Sequence, residues 1–439
     1  MPVTACTPTG PAPFGPTPLS SSPTGPALTG HALTELRLLS GALADASREQ
    51  LARVVSLIDD LPDRAGADRL LERARPRLRE MNLPRPLGFT RLLFLPLDTL
   101  IVPPTAWRPG AAGVPRTALR AISAAVEAAL GPEAGRLDAL CAGLTAEQPL
   151  RVLELGRTLW PVAAGILPEI PPAGWEASGL PRREYPALRE RCAAGWRHAV
   201  AIWPALQAAS EGPPEVLAHQ ALEGAVAEGG AALEVVLRLL MVRASRPASI
   251  AALAARLSPP GSAQAARTVQ GAVDEYLHRR EAAGVPPADA CGRARRAATD
   301  ALAVCALADD FEASGLLGLP ARRERLQAIR RAAEETCRAS FAGLLSEELL
   351  APLAALRRSG RPAARAAAPS LEEAARLLRR IEGSGRRLGG AESYDLALTA
   401  AAERVARDGS SAGLTHVERL RLVEMLAGPE AALRLVGWP

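Results

Sequence analysis

The chain is 439 residues long, 48% of them hydrophobic and 23% charged, and it carries a formal net charge of +5. That length and apolar content suffice for a buried core and more than one domain, whereas so small a charge excess does not indicate a general nucleic-acid or membrane surface. All 52 basic positions are arginine. Schiff-base catalysis and the lysine-dependent phosphate sites of P-loop proteins and kinases are therefore excluded.

Composition along the chain predicts the domain organisation. Residues 1–29 are rich in Pro, Thr, Ser and Gly and are predicted to be a disordered tail, because they offer too little apolar surface to bury. Residues 30–356 are predicted to be the main helical domain, with room for two subdomains. Residues 357–369, rich in Arg, Ala and Pro, interrupt the apolar pattern and are predicted to be a linker to a small helical unit over 370–439.

Helical periodicity and capping signals recur along the chain after the tail. Ser47 and Gln50 form a capping box ahead of a helix that should end before Pro62. Comparable apolar stripes or capping boxes mark further helices near 119–130, 233–241, 320–341, 370–373 and 415–418. Strand-like alternation of comparable strength does not occur in the sequence. The predicted fold class is all-α, either a multi-helix bundle or an irregular helical array.

One segment, from about residue 87 to residue 107, breaks the helical rule. Its three prolines each remove an amide donor and disfavour helix at the preceding residue, so one proline-rich extended or kinked element among the helices is predicted. Arg91 and Asp98 inside it need partners if buried, and a buried structural pair is the favoured interpretation. Of all stretches of the sequence, this segment is the best candidate for a membrane span, but its charges and prolines argue against one.

Aromatic residues are scarce, and many of them crowd into residues 160–203. They are predicted to form a core, with a ligand or partner pocket as the alternative. A binding cleft, if present, is expected in this region and in the proline-rich segment, at Arg91, Asp98, Trp107, Arg108, Trp196 and Trp203.

Two acidic clusters fit metal chemistry by composition. Residues 59–63, Asp-Asp-Leu-Pro-Asp, match the D-D-x-x-D pattern by which all-α prenyl-diphosphate enzymes hold magnesium, but Pro62 should end the helix between the aspartates. Residues 309–312, Asp-Asp-Phe-Glu, form the second cluster. Solvated helix ends and loop caps are the favoured interpretation of both.

The spacing of histidine and glutamate gives a third metal candidate. Glu215, His219 and Glu223 share one helix face, and Glu275 with His278 forms an E-x-x-H unit. A di-iron bundle needs two such units, and the sequence contains one. No metal and no other cofactor is predicted.

Arginines are densest over 357–387, where they could contact phosphates. No aromatic platform lies among them, so solvated helix faces with intrahelical Glu–Arg pairs are the favoured interpretation. Residues 383–385, Gly-Ser-Gly, are interpreted as a helix C-cap and turn, because Leu388 replaces the third glycine of a dinucleotide-binding loop.

The sequence is not recognised as a member of any known family, and no catalytic residue is predicted. The favoured function is a non-catalytic helical interaction or regulatory protein with a protein partner of unknown identity. One alternative is a divalent-metal-dependent all-α enzyme that uses the acidic clusters, and another is a nucleic-acid-binding protein that uses residues 357–387. The six cysteines lie far apart without zinc-binding spacing, which suits a reducing compartment and predicts a cytoplasmic location.

Overall fold

The computed structural model describes residues 47–59, 87–109, 112–208, 215–281, 289–359, 361–389 and 391–436. These residues are predominantly helical, which confirms the all-α prediction. The chain divides into two compact units, residues 1–85 and residues 86–439. The predicted tail over 1–29 lies outside the described residues.

The described part of the first unit is helix α1 (Arg48–Asp59), which begins as its capping box predicts. The Oγ of Ser47 accepts a hydrogen bond from the amide of Gln50 at 3.2 Å, and the amide of Ser47 donates to the Gln50 side chain at 2.8 Å. Two of the orphan donors at the helix start are thereby satisfied. Residues 60–63 of the first acidic cluster lie outside the described residues.

The described residues of the second unit lie mostly in helices. In chain order they are α2 (Phe89–Phe94), α3 (Leu119–Leu130), α4 (Pro132–Cys141), α5 (Pro149–Ile166), α6 (Tyr185–Gln207), α7 (Glu215–Glu228), α8 (Gly230–Arg243), α9 (Pro247–Leu257), α10 (Ala263–Glu281), α11 (Ala290–Ser314), α12 (Pro320–Leu344), α13 (Ala351–Ser359), α14 (Arg361–Leu388), α15 (Ala391–Asp408), α16 (His416–Ala427) and α17 (Pro429–Val436). Two short parallel strands, β1 (Ile101–Val102) and β2 (Val114–Pro115), complete the described structure.

The predicted helices near 119–130, 233–241 and 320–341 are confirmed as α3, α8 and α12. The capping box at the start of α16 is confirmed as well. The amide of Glu418 donates to Oγ1 of Thr415 at 3.2 Å, and the amide of Thr415 donates to Oε2 of Glu418 at 2.7 Å. These predictions succeed because periodicity and caps are local properties of the chain.

Helix α14 corrects three predictions at once. It runs unbroken through Ser370, which is therefore not an N-cap, and residues 361–369 are helical rather than an irregular linker. Residues 383–385 lie inside the same helix and form no C-cap. Alanine has the highest helix propensity, and Ala364 and Ala368 are buried, so propensity and packing together outweigh Pro369. The division of the chain into 30–356 and 370–439 stays a prediction.

Gly385 is required for packing rather than for a turn. A Cβ atom at this position would lie 2.6 Å from the phenol oxygen of Tyr394, a side chain that is 1% exposed and packs edge-on against Phe341. The close approach of α15 to α14 therefore depends on the missing side chain at this position. The phenol oxygen has no hydrogen-bond partner among the described residues, and burial raises the pKa of Tyr394 to about 12.

The second unit contains two hydrophobic cores. The first is drawn from residues between Leu87 and Ile329, and the second from residues between Ala290 and Ala432. Helices α11 and α12 contribute side chains to both cores. This helix pair therefore joins the two halves of the unit.

The proline-rich segment, predicted to be extended or kinked, is helical from Phe89 to Leu100. Helix α2 continues directly into a 3₁₀ turn (Leu95–Leu100), and the change of helix type falls at Pro96, which cannot donate an α-helical hydrogen bond. Extended backbone begins only at Ile101. Residues 89–100 pack against the four helices α4, α5, α6 and α8. We call these residues the wedge.

Two tryptophan side chains supply hydrogen bonds that Pro96 cannot. The N–H of residue 96 would ordinarily donate to the carbonyl of Leu92 in an α-helix or of Leu93 in a 3₁₀ helix. The indole N–H of Trp196 on α6 donates to the Leu93 carbonyl at 2.8 Å. The Leu92 carbonyl accepts from the amide of Leu95 and also from the indole N–H of Trp160 on α5, at 3.0 Å. Both indoles are fully buried.

Gly195 allows α6 to approach the wedge. A Cβ atom built at Gly195 would overlap the side chain of Leu97 and come within 3.3 Å of Val235 on α8. The glycine therefore stands where the wedge, α6 and α8 meet.

The helical run Pro320–Arg357 is long and apolar enough to cross a membrane by length and composition, which the sequence analysis did not anticipate. Its only 18-residue window with no more than two charged residues spans 339–356 and carries Glu347 and Glu348 near its middle. Several leucines of this window, among them Leu344 and Leu349, are buried in the second core. A core helix passes the same test of length and hydropathy.

The substitution Gly195→Ala should destabilise the protein by about 1–3 kcal/mol, because the added methyl group overpacks the junction. The matched control is Gly271→Ala on α10, where a Cβ atom would meet nothing within 4 Å. That change should raise stability by about 0.5–1 kcal/mol through helix propensity. Urea denaturation measures both, and a Gly195→Ala protein as stable as wild type would contradict the packing.

Candidate functional site

The tryptophans predicted to line a cleft belong to the first core. Trp196 is fully buried and Trp203 is 3% exposed. The indole N–H of Trp203 donates to the carbonyl of Pro149 at 3.1 Å, and its ring packs against Trp160 with a centroid distance of 5.7 Å. The structure therefore supports the core interpretation of this region, and these two side chains line no opening.

The predicted charged pair of the proline-rich segment does not form as a buried pair. The side chain of Asp98 is 65% exposed and faces Arg243 of α8 at 4.0 Å, while Arg91 is half-buried. Trp107 is half-buried, and Arg108 is exposed and donates to the carbonyls of Thr105 and Trp107. The six residues predicted to line a cleft are thus divided between the core and separate surface positions.

The acidic cluster over 309–312 contains a helix cap supplied by a neighbouring helix. Asp310 is almost fully buried, and its carboxylate accepts hydrogen bonds from the amides of Ala248 at 2.6 Å and Ser249 at 3.2 Å. These amides lie in the first turn of α9, whose own N-cap residue, Arg246, makes no side-chain cap. A carboxylate is favourable at a helix N-terminus, so the structure explains Asp310 without a metal.

The histidine–glutamate candidates are not brought together. Glu275 contacts arginines, whereas His278 is exposed. Nδ1 of His219 lies 4.0 Å from the carboxylate of Glu223. The side chain of Glu215 lies outside the described part of the structure. Among the described residues, no group of three or more His, Cys, Asp or Glu side chains could hold a metal ion.

The arginine run over 357–387 forms the intrahelical pairs that its favoured interpretation requires. Arg376 pairs with Glu372 at 2.9 Å, and Arg379 pairs with Glu382 at 3.2 Å. Arg386 contacts Glu382 as well. Arg376, Arg379 and Arg386 are therefore paired with acidic residues of the same helix.

A cleft that the sequence analysis missed lies between α8 and α10. It opens to solvent, and its cavity volume is about 10 Å³, room for roughly one water molecule. Its walls are one face of each helix, with Arg238, Met241 and Val242 from α8 and Ala272, Glu275, Tyr276 and Arg279 from α10. We call it the Arg238 cleft. The spacing of these residues along each helix follows from the 3.6-residue helical turn.

The charged groups of the Arg238 cleft form a chain of ion pairs. Arg238 pairs with Glu234 one turn earlier on α8 at 3.0 Å and crosses to Glu275 on α10. Glu275 also pairs with Arg279 at 2.5 Å. The carboxylate of Glu275 therefore bridges two guanidinium groups, one from each helix. The Nε and Nη1 atoms of Arg238 are buried and have no hydrogen-bond partner among the described residues, so the contact with Glu275 is an ion pair rather than a hydrogen bond.

The cleft holds its positive charge in a largely buried setting. The side chain of Arg238 is 13% exposed. Burial lowers the pKa of Arg238 to about 10, Glu234 opposes the shift, and the nearby guanidiniums of Arg279 and Arg191 add to it. Burial also lowers the pKa of Arg279. Arginine side chains remain protonated at neutral pH. The guanidiniums of Arg191, Arg238 and Arg279 therefore outnumber the carboxylates of Glu234 and Glu275, and the site carries a net positive charge.

One signal in the sequence marks Arg238 as a residue that needs a partner. Helix α8 is buried on nearly all sides, and Arg238 lies in the middle of its apolar stripe. A charge within so apolar a helix needs a partner from a neighbouring element. The E-x-x-x-R spacing of Glu275 and Arg279 on α10 offers that partner, but only the fold brings the two helices together.

Comparisons of the chain with protein-family models, with curated proteins and with solved structures gave no match. The geometry of the site is therefore the basis for a function.

The capping role of Asp310 predicts a loss of stability on substitution. Asp310→Ala should lower the free energy of unfolding by about 2–4 kcal/mol, because it leaves buried helix-start amides without an acceptor. The matched control is Asp309→Ala, an exposed neighbour, with an expected change within about 0.5 kcal/mol. Thermal or urea unfolding compares them, and equal stabilities of the two variants would argue against the cap.

Proposed function

We propose that the chain is a non-catalytic helical interaction protein that binds an acidic side chain of a protein partner, together with its apolar neighbours, in the Arg238 cleft. The observation that carries this proposal is a pair of guanidiniums, Arg238 and Arg279, at an open cleft with an apolar rim. Arginine is suited to such a site, because its planar group presents several donors to a carboxylate and is only weakly hydrated.

The charge of the site favours an anionic group. Arg191, Arg238 and Arg279 outnumber Glu234 and Glu275 by one positive charge, so one added carboxylate brings the local balance to neutrality. In a partly buried site this balance is worth more than on an open surface. The cleft therefore selects against cationic partners.

The rim of the cleft supplies apolar contact. Met241, Ala272 and the ring of Tyr276 line it, and Val242 at its edge is 39% exposed although it is apolar. Methionine adapts its shape to different partners, and a tyrosine ring offers a large contact area at low entropic cost. An apolar residue beside the partner's carboxylate would cover this rim.

The size of the cleft favours contact at its opening over enclosure of a free small molecule. Its cavity volume of about 10 Å³ is far below the roughly 300–1,000 Å³ that small-molecule and cofactor sites enclose. The partner's carboxylate would therefore lie at the mouth of the cleft, with its apolar neighbours on the rim.

The chemistry of the cleft favours binding over acid–base catalysis. A general acid or base works best when its pKa lies near the operating pH, and the pKa of Arg238, although lowered, stays at about 10. The metal-enzyme and nucleic-acid alternatives stay predictions without a supporting observation of this kind. The cytoplasmic location also stays a prediction.

The proposal is tested with three capped peptides and the full-length protein. Acetyl-Leu-Glu-Leu-amide should bind with a Kd near ~1 mM, corresponding to about −4 kcal/mol. Its glutamine counterpart lacks the charge, and acetyl-Gly-Glu-Gly-amide lacks the apolar neighbours, so both should bind at least about tenfold more weakly. Saturation-transfer NMR and titration measure all three.

Two protein variants locate the binding. Arg279→Ala should weaken binding of the Leu-Glu-Leu peptide at least about tenfold, because it removes a charge-assisted hydrogen bond. Arg267→Ala is the matched control, since Arg267 is an exposed arginine on the same helix and pairs with Gln264. Equal binding of the peptide to wild type and to Arg279→Ala, or equal binding of all three peptides, would refute the proposed function.

A further inference from the structure

We infer that Glu275 is a built-in competitor for the Arg238 cleft and that a partner's carboxylate binds by displacing it. The inference rests on the proposed function. It concerns how the site is regulated and which acidic segments it accepts, rather than whether it binds them.

The contacts of Glu275 reproduce those expected of a bound ligand. One oxygen of its carboxylate contacts Nη1 of Arg238, and the other lies 2.5 Å from Nη2 of Arg279. A carboxylate between two guanidiniums is attracted by both positive charges. An incoming carboxylate would seek the same two groups, and the two anions would repel each other within the cleft.

Glu275 is free to leave without breaking other contacts. Among the described residues, its carboxylate contacts the two arginines Arg238 and Arg279 and no third group. Its side chain is 24% exposed and lies in the wall of the cleft, so a rotation about its side-chain bonds carries the carboxylate towards water. The partner's carboxylate then restores both ion pairs.

Glu234 differs in each of these respects and provides an internal comparison. It lies on the same helix as Arg238, one turn earlier, and pairs with Nη2 of that arginine at 3.0 Å. It does not line the cleft. Glu234 therefore holds Arg238 in place, whereas Glu275 occupies the ligand position.

An exchange of one carboxylate for another contributes less than an uncontested ion pair. The ion pairs that a partner gains are those that Glu275 gives up, so the electrostatic gain is limited to the one uncompensated positive charge of the site, and the rest must come from apolar contact with Met241, Val242 and Tyr276. A free carboxylate such as acetate should not compete with Glu275. The cleft is thus selective for acidic residues with apolar neighbours.

The test compares Glu275→Gln with Glu281→Gln, using acetyl-Leu-Glu-Leu-amide as the probe. Glu281 is an exposed glutamate on the same helix that does not line the cleft. Both variants raise the net charge by one unit and keep the size of the side chain, so a difference between them reports position. Glu275→Gln should bind the peptide about tenfold more tightly than wild type, because the competing charge is gone. Glu281→Gln should stay within about threefold of wild type, since an exposed charge outside the site is screened by solvent.

Acetate provides a second readout. It should bind to Glu275→Gln detectably and to wild type not at all under the same conditions. If Glu275→Gln fails to fold, Glu275→Asp replaces it, because the shorter side chain draws the carboxylate back from Arg238 while the charge is kept. This variant should also bind the peptide more tightly than wild type.

The outcomes separate the inference from the proposed function. Peptide binding by wild type that is lost in Arg279→Ala and unchanged in Glu275→Gln would overturn the competitor role alone. No peptide binding by wild type or by Glu275→Gln would overturn the proposed function and the inference together. Tighter binding to Glu275→Gln than to Glu281→Gln supports the competitor role.

Discussion

The hydrogen bonds from Trp160 and Trp196 to the wedge are the interaction on which the first core depends. A buried carbonyl without a donor costs free energy. Pro96 cannot donate to the Leu93 carbonyl, whereas the Leu92 carbonyl keeps the amide of Leu95 as a donor. The two indoles, from α5 and α6, provide donors and fill the surrounding space with aromatic surface. An irregular segment can therefore lie at the centre of a helical protein without leaving its backbone unsatisfied.

The wedge also sets the position of the Arg238 cleft. Its 3₁₀ turn packs against both α6 and α8, and Gly195 lets α6 come close to the side chains of Leu97 and Val235. Helix α8 carries Arg238 towards α10, and α6 carries Arg191 near the same site. The ion pairs of the cleft form because a charge inside a nearly buried helix requires partners, and the packing of α8 on α10 provides them.

Local signals in the sequence predicted much of the fold. The boxes at Ser47 and Thr415 and the stripe over 233–241 correspond to observed helices, since caps and periodicity involve neighbouring residues only. The same kind of signal failed at Ser370, where buried alanines of α14 extend the helix through a proline. Tertiary packing overrides local preference there. The Arg238 cleft could not be predicted, because Arg238 and Glu275 lie on different helices and their pairing depends on the arrangement of the whole core.

A double-mutant cycle between Pro96 and Trp196 tests most directly whether the indoles replace the missing backbone donor. The free energy of unfolding is measured for wild type, Pro96→Ala, Trp196→Phe and the double variant. Alanine at position 96 restores an N–H, so the loss of the Trp196 donor should cost about 1 kcal/mol less in that background. The cycle cancels the change in packing that Trp196→Phe causes in both backgrounds. Equal costs in the two backgrounds would contradict the role assigned to the tryptophans.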